Sequence, residues 1–311
     1  MSQEVYHIPA LLPQVIEALN IRPGGTYVDA TFGGGGHSRA IMDRLGPDGR
    51  LLAFDQDADA LAGAIDDPRF TMVYGNFRYL RNFLRFYDAS EVDGILADLG
   101  VSFHHFDEAD RGFSFRADAP LDMRMNRHGR LTAREVVNDY PEERLAEILR
   151  LYGEVQGAGR VARALVKARA TSAIDTTGSL MAVLEPLMNP RRVKKDLACV
   201  FQALRIEVND ELGALRQFLA AALRALRPGG RLAVLTYHSL EDRLVKNFLR
   251  AGNFEGKAET DLYGRSESPF KLLNSKPIVA DETEIRSNPR SRSAKLRVAV
   301  KLSPSDEKTL D

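Results

Sequence analysis

Four consecutive glycines, Gly33 to Gly36, stand between a short β-like run, Thr26 to Ala30, and a helical pattern, His37 to Leu45. A turn of that composition lets the chain reverse tightly and lets a ligand approach the backbone, so it constrains its surroundings to a strand–turn–helix unit. Further β-like runs at Leu51 to Phe54, Phe70 to Tyr74 and Val92 to Ala97 surround a second helical pattern, Asp57 to Ile65. The spacing predicts a βαβαβ start and hence an α/β fold with a parallel sheet. Glu211 to Leu226 reads as an amphipathic helix closed by Arg227-Pro228-Gly229-Gly230; a buried strand at Arg231 to Thr236 and a closing strand at Leu296 to Lys301 follow. From Phe106 the texture changes to a loop rich in Gly, Asp and Arg, and then to apolar residues at helical spacing, as at Leu145, Ile148, Leu149 and Tyr152. Thr132 with Glu135 forms a capping-box pattern, and Pro141 suits a first helical turn. The expected domains are residues 1–105 and 208–311, two parts of one sheet domain, around an inserted and mainly helical domain, 106–207. Residues Ala251 to Pro289 read as a long irregular loop.

The chain has 311 residues, 44% of them apolar and 28% charged, which is ordinary globular composition and excludes a disordered or fibrous chain. The longest strictly apolar run, Phe218 to Leu223, is far short of the roughly 20 residues that cross a bilayer. Glu4 and Glu17 and the lack of a basic-then-apolar segment argue against a signal peptide, so a cytoplasmic location is expected. Cys199 is the single cysteine, and no Cys/His cluster has zinc spacing, so neither a disulfide nor a metal is expected. Lys plus Arg and Asp plus Glu balance at 43 each, so a polyanion must be held by local patches. Three basic groups offer themselves: Arg160, Arg163, Lys167 and Arg169; Arg191, Arg192, Lys194 and Lys195; and Arg286, Arg290, Arg292, Lys295, Arg297 and Lys301.

The segment Asp29 to Ser38 has the position of a cofactor-binding turn, and Asp55, at the tip of the second strand, has the place of a ribose-binding acid. A nucleoside-containing ligand follows. A dinucleotide fingerprint would put a third glycine where Ser38 stands, which disfavours a nicotinamide enzyme. Asp29 would repel a pyrophosphate but could bind an amine, and acidic lining suits the amino group and cationic sulfur of S-adenosyl-L-methionine. Gly75-Asn76-Phe77 would bring an amide and an aromatic ring to an adenine, although Phe77 reads equally well as a core residue. Asp98, ending the fourth strand at the carboxyl edge, is the first choice for a reaction-centre residue. Cys199 sits in a helical pattern as a core residue, which disfavours chemistry needing a thiolate.

Many further blocks carry a resemblance. His7 through Leu12, Asn20 through Pro23, Asp29 through Ser38, Asp98 through Ser102, Arg111 through Phe115 and Pro120 through Met125 are among them. So are Tyr152-Gly153-Glu154, Phe201 through Ile206, Pro228 through Arg231, His238 through Arg243 and Asn288 through Ser293. Across nearly its full length the chain resembles the bacterial small-subunit ribosomal RNA cytosine-N4 methyltransferases. The resemblance implies a Rossmann-like methyltransferase sheet with an inserted helical domain, S-adenosyl-L-methionine as donor, and a cytidine in the decoding region of 16S ribosomal RNA, within the small ribosomal subunit, as acceptor. It places cofactor contacts on Gly35, Gly36, His37, Asp55, Phe77 and Asp98, and Gly34, in the same turn, is expected to join them. After Ser102 the family usually continues Ser, then Pro or His, then Gln; here stand Phe103, His104 and His105, so the Gln contact falls on His105.

The cytosine amino group is a weak nucleophile because its lone pair is delocalised into the ring, so positioning is the main task. Asp98 could orient that amine and receive its proton, directly or through water. The loop Arg111 to Met125 and the helical insert would receive a splayed-out base, with Phe113 and Phe115 either stacking on it or anchoring their own loop. The competing classes are a non-catalytic RNA-binding ribosome-assembly factor that keeps the pocket structurally, and a small-molecule dehydrogenase. The sequence admits a homodimer without fixing the oligomeric state.

Overall fold

The structure, a computed structural model, describes residues 9–100, 111–257 and 268–303. The chain divides into two compact units, one made of residues 1–100 and 213–311, the other of residues 101–212; the expected boundaries stand at 105/106 and 207/208.

The first unit is built on a mixed sheet. Its parallel part orders β3 (Phe70–Tyr74), β2 (Arg50–Asp55), β1 (Thr26–Asp29), β4 (Val92–Asp98) and β5 (Leu226–Thr236); β8 (Lys295–Lys301) and then β6 (Phe270–Leu272) extend it antiparallel. The strand order reverses between β1 and β4, so their carboxyl ends part there and leave a crevice in which open α/β sheets bind ligands. Central strands are buried on both faces, as Leu51 to Phe54 and Gly94 to Ala97 are, which is why they read as near-continuous apolar runs. Helix α1 (Leu12–Leu19) lays Val15, Ile16 and Leu19 into a core with Tyr27, Leu51, Leu96 and Leu235, joined by Ile41 and Met42 of α2 (Gly36–Met42). The alternation legible in the sequence begins only at Thr26, and α1 lies ahead of it.

Several expectations need correction. The segment Asp57 to Ile65 is not an α-helix but a 3₁₀ helix over Ala58–Gly63 with none of its residues buried; without an apolar face to pack, a short 3₁₀ stretch capped by Asp57 is all that forms. The expected loop Ala251 to Pro289 contains β6, the two-residue β7 (Ile278–Val279) and a further helix, Glu282–Ser287. Both strands exist because β8 supplies their hydrogen bonds, a partnership too distant and too short to show as periodicity. Arg227 to Gly230 does not stand outside β5 but is looped out within it, since Val92 pairs with Leu226 and Gly94 with Arg231.

The second unit is helical among its described residues: Ala133–Asp139, Glu142–Gly153, Ala158–Arg169, Thr177–Leu184 and Val193–Asn209. The expected capping box is present, the Thr132 hydroxyl accepting from the Glu135 N–H while the Glu135 carboxylate accepts from the Thr132 N–H. Leu145, Ile148, Leu149, Val161, Leu165, Val200 and Leu204 form its own apolar core. Phe113, 6% exposed, belongs to that core, and the Phe115 ring meets Phe201 edge-on at 5.4 Å. Of the two readings for these rings, base stacking or anchorage of their own loop, the structure gives anchorage. Cys199 packs against the same core, where burial pushes its thiol pKa up.

Candidate active site

The glycine turn is held from three sides. The Phe32 N–H donates to the Phe54 carbonyl, the Gly33 N–H to the Asp55 carboxylate at 2.9 Å, and the Gly35 N–H to the Phe32 carbonyl. Gly33 and Gly35 lie in the left-handed region, at φ 52° and 74°. A Cβ on Gly35 would stand 2.7 Å from the Phe32 ring, whereas one on Gly33 or Gly34 would meet nothing within 4 Å. Gly35 therefore serves the turn by conformation and by contact and Gly33 by conformation, while the backbone at Gly33 and Gly34 faces open space, a cradle that a side chain would fill.

Asp55 closes this turn. Its Oδ2 accepts from Gly33 and its Oδ1 from the Asp57 N–H, each at 2.9 Å. Asp29 is fully buried, its oxygens engaged by the Ser38 hydroxyl at 2.7 Å and the Thr31 N–H at 3.1 Å. It acts here as a brace between β1 and α2 rather than as a surface for an amine. Burial lifts its pKa to about 6, against the opposing pull of the Ser38 hydroxyl.

Asp98 ends β4 beside the end of β5, because Asp98 pairs with Leu235 in the parallel register. Two residues beyond Leu235, the Tyr237 hydroxyl donates to Asp98 Oδ1 at 2.7 Å, while the Asp98 N–H donates to the Thr31 hydroxyl at 2.6 Å. Gly100 is the complement of that tyrosine, for a Cβ there would stand 3.1 Å from its ring. Asp98 Oδ2 lies 3.6 Å from His37 Nδ1, and His37 Nε2 is bonded to the Ala10 carbonyl at 3.1 Å. Since a carbonyl only accepts, Nε2 carries the proton and Nδ1 turns a lone pair towards Asp98. Burial pushes the His37 pKa down, which keeps the imidazole neutral. Burial also raises Asp98 to about 7, with the Tyr237 hydrogen bond pulling it down and the Glu241 charge pushing it up.

The structure thus gathers Asp29, the glycine turn, His37, Asp55 and Asp98 at the carboxyl edge of one sheet. Phe77 follows β3 on the same edge, half-buried, with its ring edge-on to Phe218 at 5.2 Å. The Asn76 amide is occupied by Gln56 and by the Arg78 N–H. His105, Phe103 and His104 lie outside the described residues. Sequence reasoning missed Thr31, whose hydroxyl fixes the Asp98 backbone; the only signal was its place inside the glycine segment. The helix after Tyr237 spans Ser239–Ala251, with His238 at its N-cap. Glu241 reaches back to the Tyr237 and His238 N–H groups, which starts the helix at Ser239.

The basic groups fare unevenly. Arg297, 7% exposed, forks onto Asp242, and Lys295 approaches the same carboxylate at 3.5 Å; Lys301 donates to the Leu226 carbonyl at 2.6 Å. Those three tie β8 to the helix Ser239–Ala251 and to β5. Arg160 and Arg169 donate to backbone carbonyls, while Arg163 pairs with Glu142 and Arg192 with Asp196. The side chains of Arg191, Lys194 and Lys195 are exposed and form no ion pair among the described residues.

Among described residues no helix is long and apolar enough to cross a membrane. The family described as MraW methylase matches residues 4–302. A Bacteroides thetaiotaomicron protein named ribosomal RNA small subunit methyltransferase H is 60% identical over 296 residues, covering 95% of this chain and 97% of that one. A Porphyromonas gingivalis protein of the same name is 54% identical over 306 residues, covering 97% and 98%. Among solved structures, an rRNA methylase from Streptococcus thermophilus aligns at 13% identity over 94% of each chain with a TM-score of 0.39, too low to add to the fold.

Proposed function

The chain belongs to the MraW methylase family, and from that premise we propose that it methylates the exocyclic N4 amino group of a cytidine in the decoding region of 16S ribosomal RNA. The enzyme is a methyltransferase that uses S-adenosyl-L-methionine, and the small-subunit RNA as acceptor follows the name its relatives carry. When bound, the donor supplies an electrophilic methyl group on a cationic sulfur. The open backbone at Gly33 and Gly34 fits a ligand of that kind, and Asp55, at the strand tip beside that turn, is the acid for ribose hydroxyls. Gly34, Gly35, Gly36, His37, Asp55, Phe77 and Asp98 remain the residues assigned to cofactor binding, with His105 carried from the sequence alone.

The observation that carries the catalytic reading is the Asp98 carboxyl group, half-buried at the strand tip and held by Tyr237 and by its own N–H on Thr31. A carboxylate fixed in this way accepts a hydrogen bond from an amine, aims its lone pair, and takes up its proton as the nitrogen becomes cationic. Tyr237 keeps one oxygen of Asp98 occupied, which leaves the other free for the acceptor base. His37, neutral, imposes no competing charge. The unpaired run Arg191, Lys194 and Lys195 supports phosphate contacts with the RNA. The activity belongs with ribosomes in the cytoplasm, and the reading extends to the small subunit as substrate.

The test is direct. Purified protein, labelled donor and small subunits lacking the modification are incubated, and the RNA is digested to nucleosides for mass spectrometry. N4-methylcytidine is the expected product; its absence refutes the assignment. A non-catalytic assembly factor would bind the subunits and leave the RNA unlabelled.

A further inference from the structure

On the first unit, the amino ends of β4 and β5 border a cavity of about 270 Å³ lined by Arg81, Leu84, Arg85, Ser90, Arg224 and Ala225. Ser90 stands two residues before β4, and Ala225 immediately precedes β5, so the cavity lies at the opposite edge of the sheet from Asp98. Seven residues of β4 separate the two edges, roughly 20 Å at the usual rise per strand residue. This is a place apart from the cofactor crevice, and nothing in the methyl-transfer reading uses it.

Its chemistry is one-sided. Arg81 and Arg85 lie one turn apart on α3 (Leu80–Phe86), and Arg224 is in the last turn of the helix Glu211–Ala225. All three are exposed, and none of their guanidinium groups forms a hydrogen bond or an ion pair with any described residue. No carboxylate lines the cavity. Of the acids on the neighbouring loop, Glu91 faces Arg227 at 3.8 Å, and Asp88 pairs with none of the three arginines. Other guanidinium groups of this unit have partners, Arg69 and Arg297 on the carboxylates of Asp67 and Asp242, Arg50 and Arg231 on the carbonyls of Tyr87 and Ala18. Three unpaired guanidinium forks and a serine hydroxyl around one hollow suit an anion with several oxygens, which such forks bind in pairs of parallel hydrogen bonds. At about 30 Å³ per water, the hollow holds about nine waters, room for a phosphodiester with parts of its sugars. The next residue of α3, Phe86, is 77% exposed and meets the Tyr87 ring edge-on at 5.0 Å, an aromatic surface of a kind on which unpaired bases stack.

We propose that this cavity binds a backbone phosphate of the RNA substrate, as a second anchor on the edge of the sheet remote from the reacting base. The inference rests on the RNA-methylating function proposed above and adds a binding site which that function does not require. A single strand threading the crevice is not the ligand; a folded RNA wide enough to lie along the sheet is. Its contribution is to affinity and register, carried by charge, and not to the chemical step.

The test compares wild-type protein with the triple variant Arg81→Ala, Arg85→Ala, Arg224→Ala. Binding to small subunits lacking the modification, and to protein-free 16S RNA, is measured across a salt series, with donor affinity and melting temperature measured alongside. The triple variant is expected to bind both RNAs at least tenfold more weakly at 0.15 M salt. Its log–log salt slope should be shallower by about 0.9 for each phosphate that the protein no longer neutralises. KM for the subunit should rise while kcat, donor affinity and melting temperature stay unchanged, and lysine at all three positions should restore most of the salt slope. Wild-type affinity and slope in the alanine variant, beside a wild-type enzyme that methylates normally, would overturn this inference alone. Weakened binding to subunits with unchanged binding to protein-free RNA would hand the arginines to an acidic protein surface and overturn it as well. Wild-type protein that neither binds nor methylates RNA would remove the proposed function and the second anchor together.

Discussion

Asp98 is held near 7 by burial, and Asp29 near 6, although an exposed aspartate titrates near 3.8. Because both pKa values are raised on folding, burial of these groups favours the folded state fully only below about pH 4. That contribution is lost as pH climbs through 6 and 7. Donor-free protein should therefore melt at lower temperature at pH 8 than at pH 5, and Asp98→Asn should narrow that difference while reducing kcat by about 10²–10⁴-fold with donor saturating. Near-normal turnover by Asp98→Asn would remove the residue from the reaction. A cationic donor favours the ionised carboxylates, so its affinity should rise between pH 5.5 and 7.5, with proton release visible by calorimetry in buffers of different ionisation enthalpy. The Tyr237 hydrogen bond lowers the Asp98 pKa. Tyr237→Phe should thus move the acid limb of the kcat/KM profile to higher pH and cost about tenfold in rate at pH 7, a split that mere loss of packing would not produce. Asp98 and Asp55 were legible from their places at strand tips. Asp29 was legible as important but not in its role, because a sequence does not show that Ser38 and Thr31 fill its oxygens.

At the scale of elements, the glycine turn makes a discriminating pair. Gly35→Ala must hold φ 74° and push a methyl into Phe32, which should cost about 1–3 kcal/mol in denaturant unfolding. Gly34 has neither a left-handed backbone nor a neighbour within 4 Å of its missing Cβ. Gly34→Ala should therefore leave unfolding nearly unchanged and still weaken donor binding by tenfold or more; unchanged donor affinity would argue that the ligand does not lie over this backbone. The sequence marked all four glycines alike. Their division into structural and open positions depends on Phe32, Arg39 and Pro9, which reach them only in the folded chain. The capping box at Thr132 was readable because its partners are three residues apart. The helix expected at Asp57 to Ile65 was not: none of residues 58–63 is buried, and local propensity alone does not sustain a short helix.

For the whole molecule, each unit is stabilised by an apolar core of its own, and Leu149→Ala in the helical one should cost about 2–5 kcal/mol, read from its denaturation midpoint. A net charge of zero leaves RNA affinity to patches, so it should fall steeply with salt while donor affinity does not. Lys295, Arg297 and Lys301 look like part of such a patch in the sequence, yet they are engaged by Asp242 and by the Leu226 carbonyl. Arg81, Arg85 and Arg224 form no run at all and meet only because α3 and the helix before β5 converge. The sequence by itself determined the parallel βα alternation, the ligand turn and the acids at the strand tips, since these are written in periods of two to four residues and in residue types with few alternative uses. Tertiary structure alone decided which carboxylates are braced, which cations are free, how β8 draws β6 and β7 into the sheet, and that Tyr237 meets Asp98. Each of these depends on the register between segments far apart in the chain, and contacts over that distance leave no local pattern to read.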